Sequence, residues 1–248
     1  MKPDYAREEL LACILAGLIG DARHTAHVAV GAASPIPATA VELLRARQGG
    51  RPRLSLLHRR RGNPFTEGSR ELFDLAGQGR IDVFFLGGAQ IDGEANINLV
   101  GSGEYPGVEH RFPGSFGSAF MYFTARRTIL FREEHSPRVL VPKVDFVSAP
   151  GSSPPGVWRR GGPQALLTGK ALFAWQADRR RFRLESVHPG VGADEVRAAT
   201  GFDYDAPAKV GATPVPTAQE LELLRGPVAA EIALNYPEFA RRVWRRAA

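Results

Sequence analysis

Short apolar runs alternate with helical stretches along the first ninety residues, and no other feature limits the fold of this chain as strongly. His27 to Val30, Leu54 to Leu57 and Val83-Phe84-Phe85-Leu86 are each about four residues long. Runs so short and so apolar fit strands buried on both faces. Between them lie helical patterns. Leu10, Leu11, Ile14, Leu15, Leu18 and Ile19 recur at helical spacing within residues 5–19, with Gly20 as a stop and Asp4 as a candidate cap. Pro35 and Pro37 open a second helix that ends before Gly49-Gly50, and Glu67 to Ala76 reads as a third, ending at Gly77. The expected fold is therefore α/β, with an open, mainly parallel sheet and flanking helices. Ligands of such sheets bind beyond the carboxyl ends of the strands. The loops after Leu57, after Leu86 and around Gly114 to Ser118 are where chemistry is expected. Leu57 and Leu86 are expected to end neighbouring parallel strands, with those loops on one rim.

The second half is less regular. Thr128 to Phe131, Arg138 to Val141, Val144 to Val147, Ala171 to Gln176 and Phe182 to Val187 read as strands, and 148–163 as a long exposed loop. Asp194 to Thr200 reads as a short helix. Thr217 and Glu220 have capping-box spacing before Leu221, and Pro237 to Arg246 reads as a basic helix. No repeat or linker divides the chain, so residues 1–248 are expected to form one domain with an irregular C-terminal part.

Composition narrows the function class. The net charge is +6, and 28 of the 32 basic residues are arginine. The arginines are scattered rather than interleaved with aromatics on one face, so nucleic acid is not the expected partner. The single cysteine, Cys13, excludes a disulfide scaffold and a four-cysteine zinc site. Neither a metal nor a bound cofactor is expected. The apolar stretch Leu10 to Ile19 is too short to span a membrane and follows Arg7, Glu8 and Glu9. A cytoplasmic protein without membrane contact is the expectation.

Four clusters carry possible chemistry. Gly87-Gly88-Ala89-Gln90-Ile91-Asp92-Gly93-Glu94-Ala95-Asn96-Ile97-Asn98 follows a strand. Its small residues admit close approach of a ligand, and equally suit a polar hairpin. Phe112-Pro113-Gly114-Ser115-Phe116-Gly117-Ser118-Ala119 leads into a helix start and offers backbone N–H groups to an oxyanion, or is a plain turn. His188, in Val187-His188-Pro189-Gly190-Val191, is a candidate base or a packing residue. Finally, Arg59-Arg60-Arg61 follows Leu56-Leu57-His58. Three consecutive guanidiniums should face solvent, a partner's carboxylates or a phosphate, because unpaired burial is costly.

In order, these motifs resemble the family I coenzyme A transferases, and most closely the β subunits of the glutaconate CoA-transferase type. Steroid-ring-opening CoA hydrolases belong to the same group. The resemblance covers roughly residues 8–225. It implies a β subunit that pairs with an α subunit as a heterodimer or heterotetramer and handles a CoA thioester at the subunit junction. Gly114, Ser115, Phe116, Gly117 and Ser118 would approach the thioester and help form an oxyanion hole. Gly87, Gly88, Gln90, Asn96 and Asn98 would shape the site floor. His188 to Val191 and Thr200 to Phe202 would be scaffold. Transferases of this type carry a nucleophilic glutamate on the loop after the strand corresponding to Leu54–Leu57. Here Arg60 stands in that place, flanked by Arg59 and Arg61, and no acidic residue lies between Arg51 and Phe65. Glu67 is the nearest. A guanidinium stays protonated and cannot accept an acyl group. Arg60 is suited instead to a substrate carboxylate or to an acidic residue of the partner, and the catalytic carboxylate would then come from elsewhere.

Overall fold

The computed structural model describes residues 4–20, 23–57 and 59–245. They divide into two compact units: the chain up to Phe85 together with the part from Pro214 onward, and Leu86–Thr213 between them.

The first unit begins with α1 (Arg7–Ile19), β1 (His27–Val30), α2 (Pro35–Arg47), β2 (Arg53–Leu56), α3 (Arg70–Gly77) and β3 (Val83–Leu86). The three strands are parallel, in the order β2-β1-β3. Every residue of β1 and β3 is buried, as their apolar character implied, and so is the polar His27 that opens β1. Leu57 and Leu86 do not end neighbouring strands, because β1 lies between β2 and β3. The chain steps from β1 outward to β2, then crosses back over β1.

Polar groups lock the register of β1. Asp82 Oδ2 accepts from the backbone N–H of Ala26 at 2.8 Å and of His27 at 3.0 Å. His27 Nδ1 lies 3.1 Å from Arg80 O, which can only accept, so Nε2 is the nitrogen that accepts from Ser55 Oγ at 2.8 Å.

Two helix starts differ from expectation. Asp4 does not cap α1. Glu9, one turn in, reaches back to the Ala6 N–H at 2.8 Å and does so instead. The third helix begins at Arg70 rather than Glu67. Gly68 has φ +67°, which is incompatible with a helix, and Glu71 accepts from the N–H groups of Thr66 and Glu67 to close the preceding turn.

The second unit carries two hairpins, β4 (Gln90–Ile91) with β5 (Ile97–Asn98) and β6 (Gly101–Ser102) with β7 (His110–Arg111). Then come α4 (Ser118–Thr124), β8 (Arg127–Arg132), β9 (Pro163–Thr168), β10 (Ala171–Gln176), β11 (Arg181–Val187), α5 (Ala193–Ala199) and β12 (Gly211–Ala212). β8 to β12 lie side by side in chain order. β8–β9 and β11–β12 are parallel, and β9–β10 and β10–β11 antiparallel. The α/β class and the mainly parallel pairing are as anticipated; the antiparallel pairs that β10 makes with β9 and β11 are an addition. β9 itself was not anticipated. Its apolar run follows Gly161-Gly162-Pro163, which obscured its start.

The expected strands at 138–141 and 144–147 do not form. Pro142 interrupts them, and the segment instead lies alongside the first hairpin through isolated bridges. Ile91 N–H donates to Val139 O at 2.7 Å, and Val141 N–H to Ile91 O at 3.0 Å.

The loop 148–162 is exposed only in its middle. Ala149 and Gly151 are buried, and a Cβ on Gly151 would stand 2.2 Å from Glu94 O. Arg159 fastens the rest. Its guanidinium donates to Pro150 O at 2.8 Å, Gly161 O at 2.8 Å and Tyr122 O at 3.1 Å, and lies over the Tyr122 ring.

The C-terminal part of the first unit holds α6 (Ala218–Leu223), a π-turn at Leu224–Val228, α7 (Ala229–Asn235) and α8 (Pro237–Trp244). Thr217 and Glu220 form the expected capping box: Glu220 N–H donates to Thr217 Oγ1 and Thr217 N–H to Glu220 Oε2. The basic tail helix ends at Trp244, and Arg246 lies outside the described residues.

Two outcomes follow from these contacts. Arg159→Leu should lower unfolding free energy by about 2–3 kcal/mol, since it strips donors from several carbonyls; denaturant titration measures this. Burial also holds His27 and His135 down at a pKa of about 4 from 6.5. The unfolded chain then binds more protons between those values. Their contribution to stability is complete above about pH 6.5 and falls away as pH drops toward 4, so denaturation midpoints should fall across that window.

Candidate functional site

In the second unit the first hairpin and the glycine loop come together. Phe112 N–H donates to Val100 O and Gly114 N–H to Leu99 O, both at 2.9 Å, directly after Asn98. The hairpin is built from buried polar groups. Asp92 Oδ1 accepts from the N–H groups of Glu94 and Asn96, each at 3.0 Å, so the Asp-Gly signal is realised as a tight turn. Asn96 Nδ2 donates to Asp92 Oδ2 at 3.1 Å, and its Oδ1 accepts from Gly151 N–H. Asn98 is 0 % exposed; it donates to Gln90 Oε1 and Gly101 O at 2.7 Å and accepts from Val100 N–H at 2.9 Å. Gln90 Nε2 passes the chain of bonds to Asp145 at 2.9 Å, which also accepts from Gly103 N–H. Gly87 and Gly88 are close to this chain's own atoms. A Cβ at Gly87 would meet Phe131 O at 2.9 Å, and one at Gly88 would meet Gln90 O at 2.5 Å.

The glycine loop has a different character. Gly114 has φ +102° with open space where a Cβ would stand, so conformation alone requires the glycine there. Phe116 also takes a left-handed φ, +47°, and is 77 % exposed. Ser118 N–H donates to Ser115 O at 2.8 Å. The Ser118 hydroxyl is buried without a hydrogen-bond partner among the described residues.

His188 is a packing residue. Nδ1 pairs with Thr213 Oγ1 at 2.9 Å and Nε2 with Thr168 O at 3.0 Å, in a buried setting. Thr200-Gly201-Phe202 is likewise internal: a Cβ on Gly201 would lie 2.4 Å from Leu140 O, and Phe202 packs on Gly93.

The arginine loop belongs to the first unit. Leu57 N–H continues the pairing to Val30 O at 3.0 Å; His58 lies outside the described residues. Arg59 is half-buried and ion-paired with Glu231 of α7. Arg60 N–H donates to Asn235 Oδ1 at 3.0 Å. The guanidiniums of Arg60 and Arg61 are exposed and have no partner among the described residues. Glu67 is exposed and pairs with Arg70 at 2.9 Å. Beside the loop, Glu42, Arg45, Gly50, Arg59, Val228 and Glu231 line a cavity of about 380 Å³. Burial raises the Glu42 carboxyl above the usual range despite Arg45 at 3.1 Å.

Sequence reasoning missed Glu42, Glu231 and Asn235, which no local pattern connects to residue 60. It also missed a cleft of about 780 Å³ in the second unit, lined in part by Asp92, Glu94, Asn96, Lys143, Arg180 and Phe202. Among the described residues no group of three or more His, Cys, Asp or Glu side chains converges as a metal site. No helix among them is long and apolar enough to cross a membrane.

Comparison with known proteins shows the family. The family model described as Coenzyme A transferase matches residues 25–199, and the chain belongs to that family. It is 34% identical over 153 residues to the β-type subunit of the 3-oxoadipate CoA-transferase of Pseudomonas knackmussii, covering 59% of this chain and 58% of that protein. It is 30% identical over 162 residues to the cholesterol ring-cleaving hydrolase IpdB subunit of Rhodococcus jostii, covering 63% of this chain and 62% of that one. The chain thus spans about three-fifths of the length of these curated relatives. A crystal structure of the decarboxylase AibA/AibB superposes with TM-score 0.75 at 25% identity, over 97% of this chain and 99% of that one.

The polar hairpin should be structurally indispensable. Asn98→Ala would leave a buried carbonyl and amides unpaired, and should cost about 2–4 kcal/mol. A stability curve read by denaturant titration checks it.

Proposed function

We propose that this chain is the β-type subunit of a heteromeric, cytoplasmic enzyme that handles a CoA thioester together with an α-type partner. The observation that carries the reading is the bonding of the glycine loop to the polar hairpin, Gly114 N–H to Leu99 O at 2.9 Å. It sets a strained, exposed loop with an unpaired buried hydroxyl at Ser118 on a floor that cannot rearrange without breaking buried hydrogen bonds. Preorganised polar groups of this kind stabilise charge developing on a thioester oxygen. In this reading Gly114 to Ser118 approach the thioester. Gly87, Gly88, Gln90, Asn96 and Asn98 act beneath them by holding the floor rather than by touching the acyl group. Phe116, and Trp158 at 71 % exposed, are apolar groups suited to burial against the partner. CoA is a substrate component here, not a resident cofactor.

Transfer of the acyl group is the family's reaction, and a hydrolytic variant is the second reading, raised by the composition of one loop. From Arg59 to Phe65 the loop after β2 carries no carboxylate of its own; Glu67, next along the chain, is exposed and paired with Arg70, and Glu231 of α7 is taken by Arg59. The relative from Rhodococcus and the AibA/AibB structure carry hydrolase and decarboxylase descriptions, so one fold serves several reactions. A carboxylate from the partner, or water as acceptor, would replace the missing glutamyl intermediate.

Incubating the assembled complex with acyl-CoA and hydroxylamine separates the alternatives. No acyl adduct is expected on this chain. An adduct mapped to one of its glutamates would overturn the hydrolytic reading and restore transfer through this subunit. CoA release that does not depend on an added acceptor acid would mark hydrolysis.

A further inference from the structure

The geometry points to the cleft of about 780 Å³ in the second unit as a binding site for a ribose phosphate whose vicinal hydroxyls are free, separate from the thioester site. The cleft is lined at the hairpin by its turn, Asp92 to Glu94, whereas the glycine loop bonds beyond the other end of that hairpin, at Leu99 and Val100. Its volume is that of an ordinary small-molecule pocket.

The lining is fixed by bonds made within the unit. In the turn between β10 and β11, Asp205 is ion-paired with Arg179 and lies 3.2 Å from Arg181 Nε. Asp205 is itself held on β11: its N–H donates to Phe182 O at 3.0 Å, and its carbonyl accepts from Leu184 N–H at 2.7 Å. The two flanking arginines are thereby consumed. Arg180 between them takes a left-handed φ of +49°, and its guanidinium is exposed and has no partner among the described residues. Elsewhere in the lining, Asp92 Oδ2 accepts from Val144 N–H at 3.3 Å, which ties the neighbouring Lys143 to the first hairpin. Lys143 is also exposed and without a partner among the described residues. Phe202, packed on Gly93, and the exposed Val147 add apolar surface.

The uncommitted charges are of two kinds. Lys143 and Arg180 suit a phosphate, one as a point charge and the other as a fork. Glu94 is exposed, with the Asn96 amide at 3.4 Å, and Asp203 is exposed and unpartnered among the described residues. Both carboxylates have lone pairs to spare. A fitting ligand is therefore an anion that also donates hydrogen bonds. A ribose phosphate is both, since carboxylates accept from ribose hydroxyls, as they do in dinucleotide sites. Coenzyme A fits poorly, because its ribose carries a phosphate on the 3′ oxygen. That group removes one donor and sets a second anion beside Glu94 and Asp203. The ligand is a nucleotide with a free diol or a phosphorylated pentose, which share this chemistry.

Calorimetric titration of the full chain with AMP, ribose 5-phosphate, adenosine 3′,5′-bisphosphate and CoA tests this. AMP should bind about tenfold or more tightly than the bisphosphate, from which it differs only by the free 3′ hydroxyl. Ribose 5-phosphate binding as well as AMP assigns the pentose; weaker binding assigns the nucleotide. Lys143→Gln with Arg180→Gly should weaken AMP about tenfold or more, and glycine accepts φ +49°, so the turn is kept. Glu94→Gln with Asp203→Asn should weaken AMP but strengthen the bisphosphate. Arg138→Gln, an exposed change outside the cleft, should alter neither. A native chain that binds neither AMP nor ribose 5-phosphate, or that binds the bisphosphate as tightly as AMP, overturns the proposal. So does AMP binding that survives loss of Lys143 and Arg180. Competitive displacement of AMP by CoA puts the nucleotide end of CoA in the cleft and overturns the claim of a separate site. The hydroxylamine experiment reads the acyl group alone, so none of these results decides the CoA reading.

Discussion

A buried carboxylate near the start of the chain organises the first unit. Glu9 is 2 % exposed and accepts from the Ala6 N–H, from the Arg225 guanidinium at 2.9 and 3.1 Å and from the Trp244 indole at 3.1 Å. An ionised carboxylate at that depth is tolerated only when its lone pairs are filled. The requirement draws in residues from both ends of the C-terminal helical segment. α7 lies between Arg225 and Trp244, so the contacts that dock the segment also deliver Glu231 and Asn235 to the arginine loop. The π-turn at Leu224–Val228, with Gly226 at φ −99°, ψ −110° and Pro227 inside, breaks the regular helix just before α7.

The second unit meets the same constraint differently. Outside β8 to β12 its backbone is irregular and has few ladders to satisfy it, so side chains do so: Asp92 in the hairpin turn, Asn98 and Gln90 beneath it, Arg159 across the long loop. Each is a polar group whose bonding capacity is used internally. This is why the polar residues of the first hairpin prove to be well satisfied in the structure, whereas Ser118 Oγ, at the start of α4, and the guanidiniums of Arg60 and Arg61 have no partner among the described residues.

The parts of the fold that rest on local periodicity were legible. β1, β2 and β3 stand where four-residue apolar runs put them, and α1, α2 and the Thr217–Glu220 cap follow from spacing and punctuation. Strand order was less so: nothing in the runs ending at Leu57 and Leu86 reveals that β1 separates them. The stretch from Arg138 to Val147 misled because Val139, Val141 and Val144 are buried alongside a hairpin rather than by joining a sheet. At the candidate site, the glycine loop and the arginine triplet could be read directly. Their supports could not, since Glu231 and Asn235 meet the loop only through tertiary packing, and an Asn on a helix carries no sign of its partner.

The arginine loop and its anchor are separated by 172 residues of chain, with the whole second unit synthesised in between. The loop therefore leaves the ribosome long before the helix that grips it. Until α7 is made, Arg59 has no Glu231 to pair with and all three guanidiniums stand free. A nascent chain would carry a transient triple-positive loop, whose charge drops to two at the moment the last helices dock. Final assembly of the subunit is in this sense also the step that sets how much positive charge the loop presents.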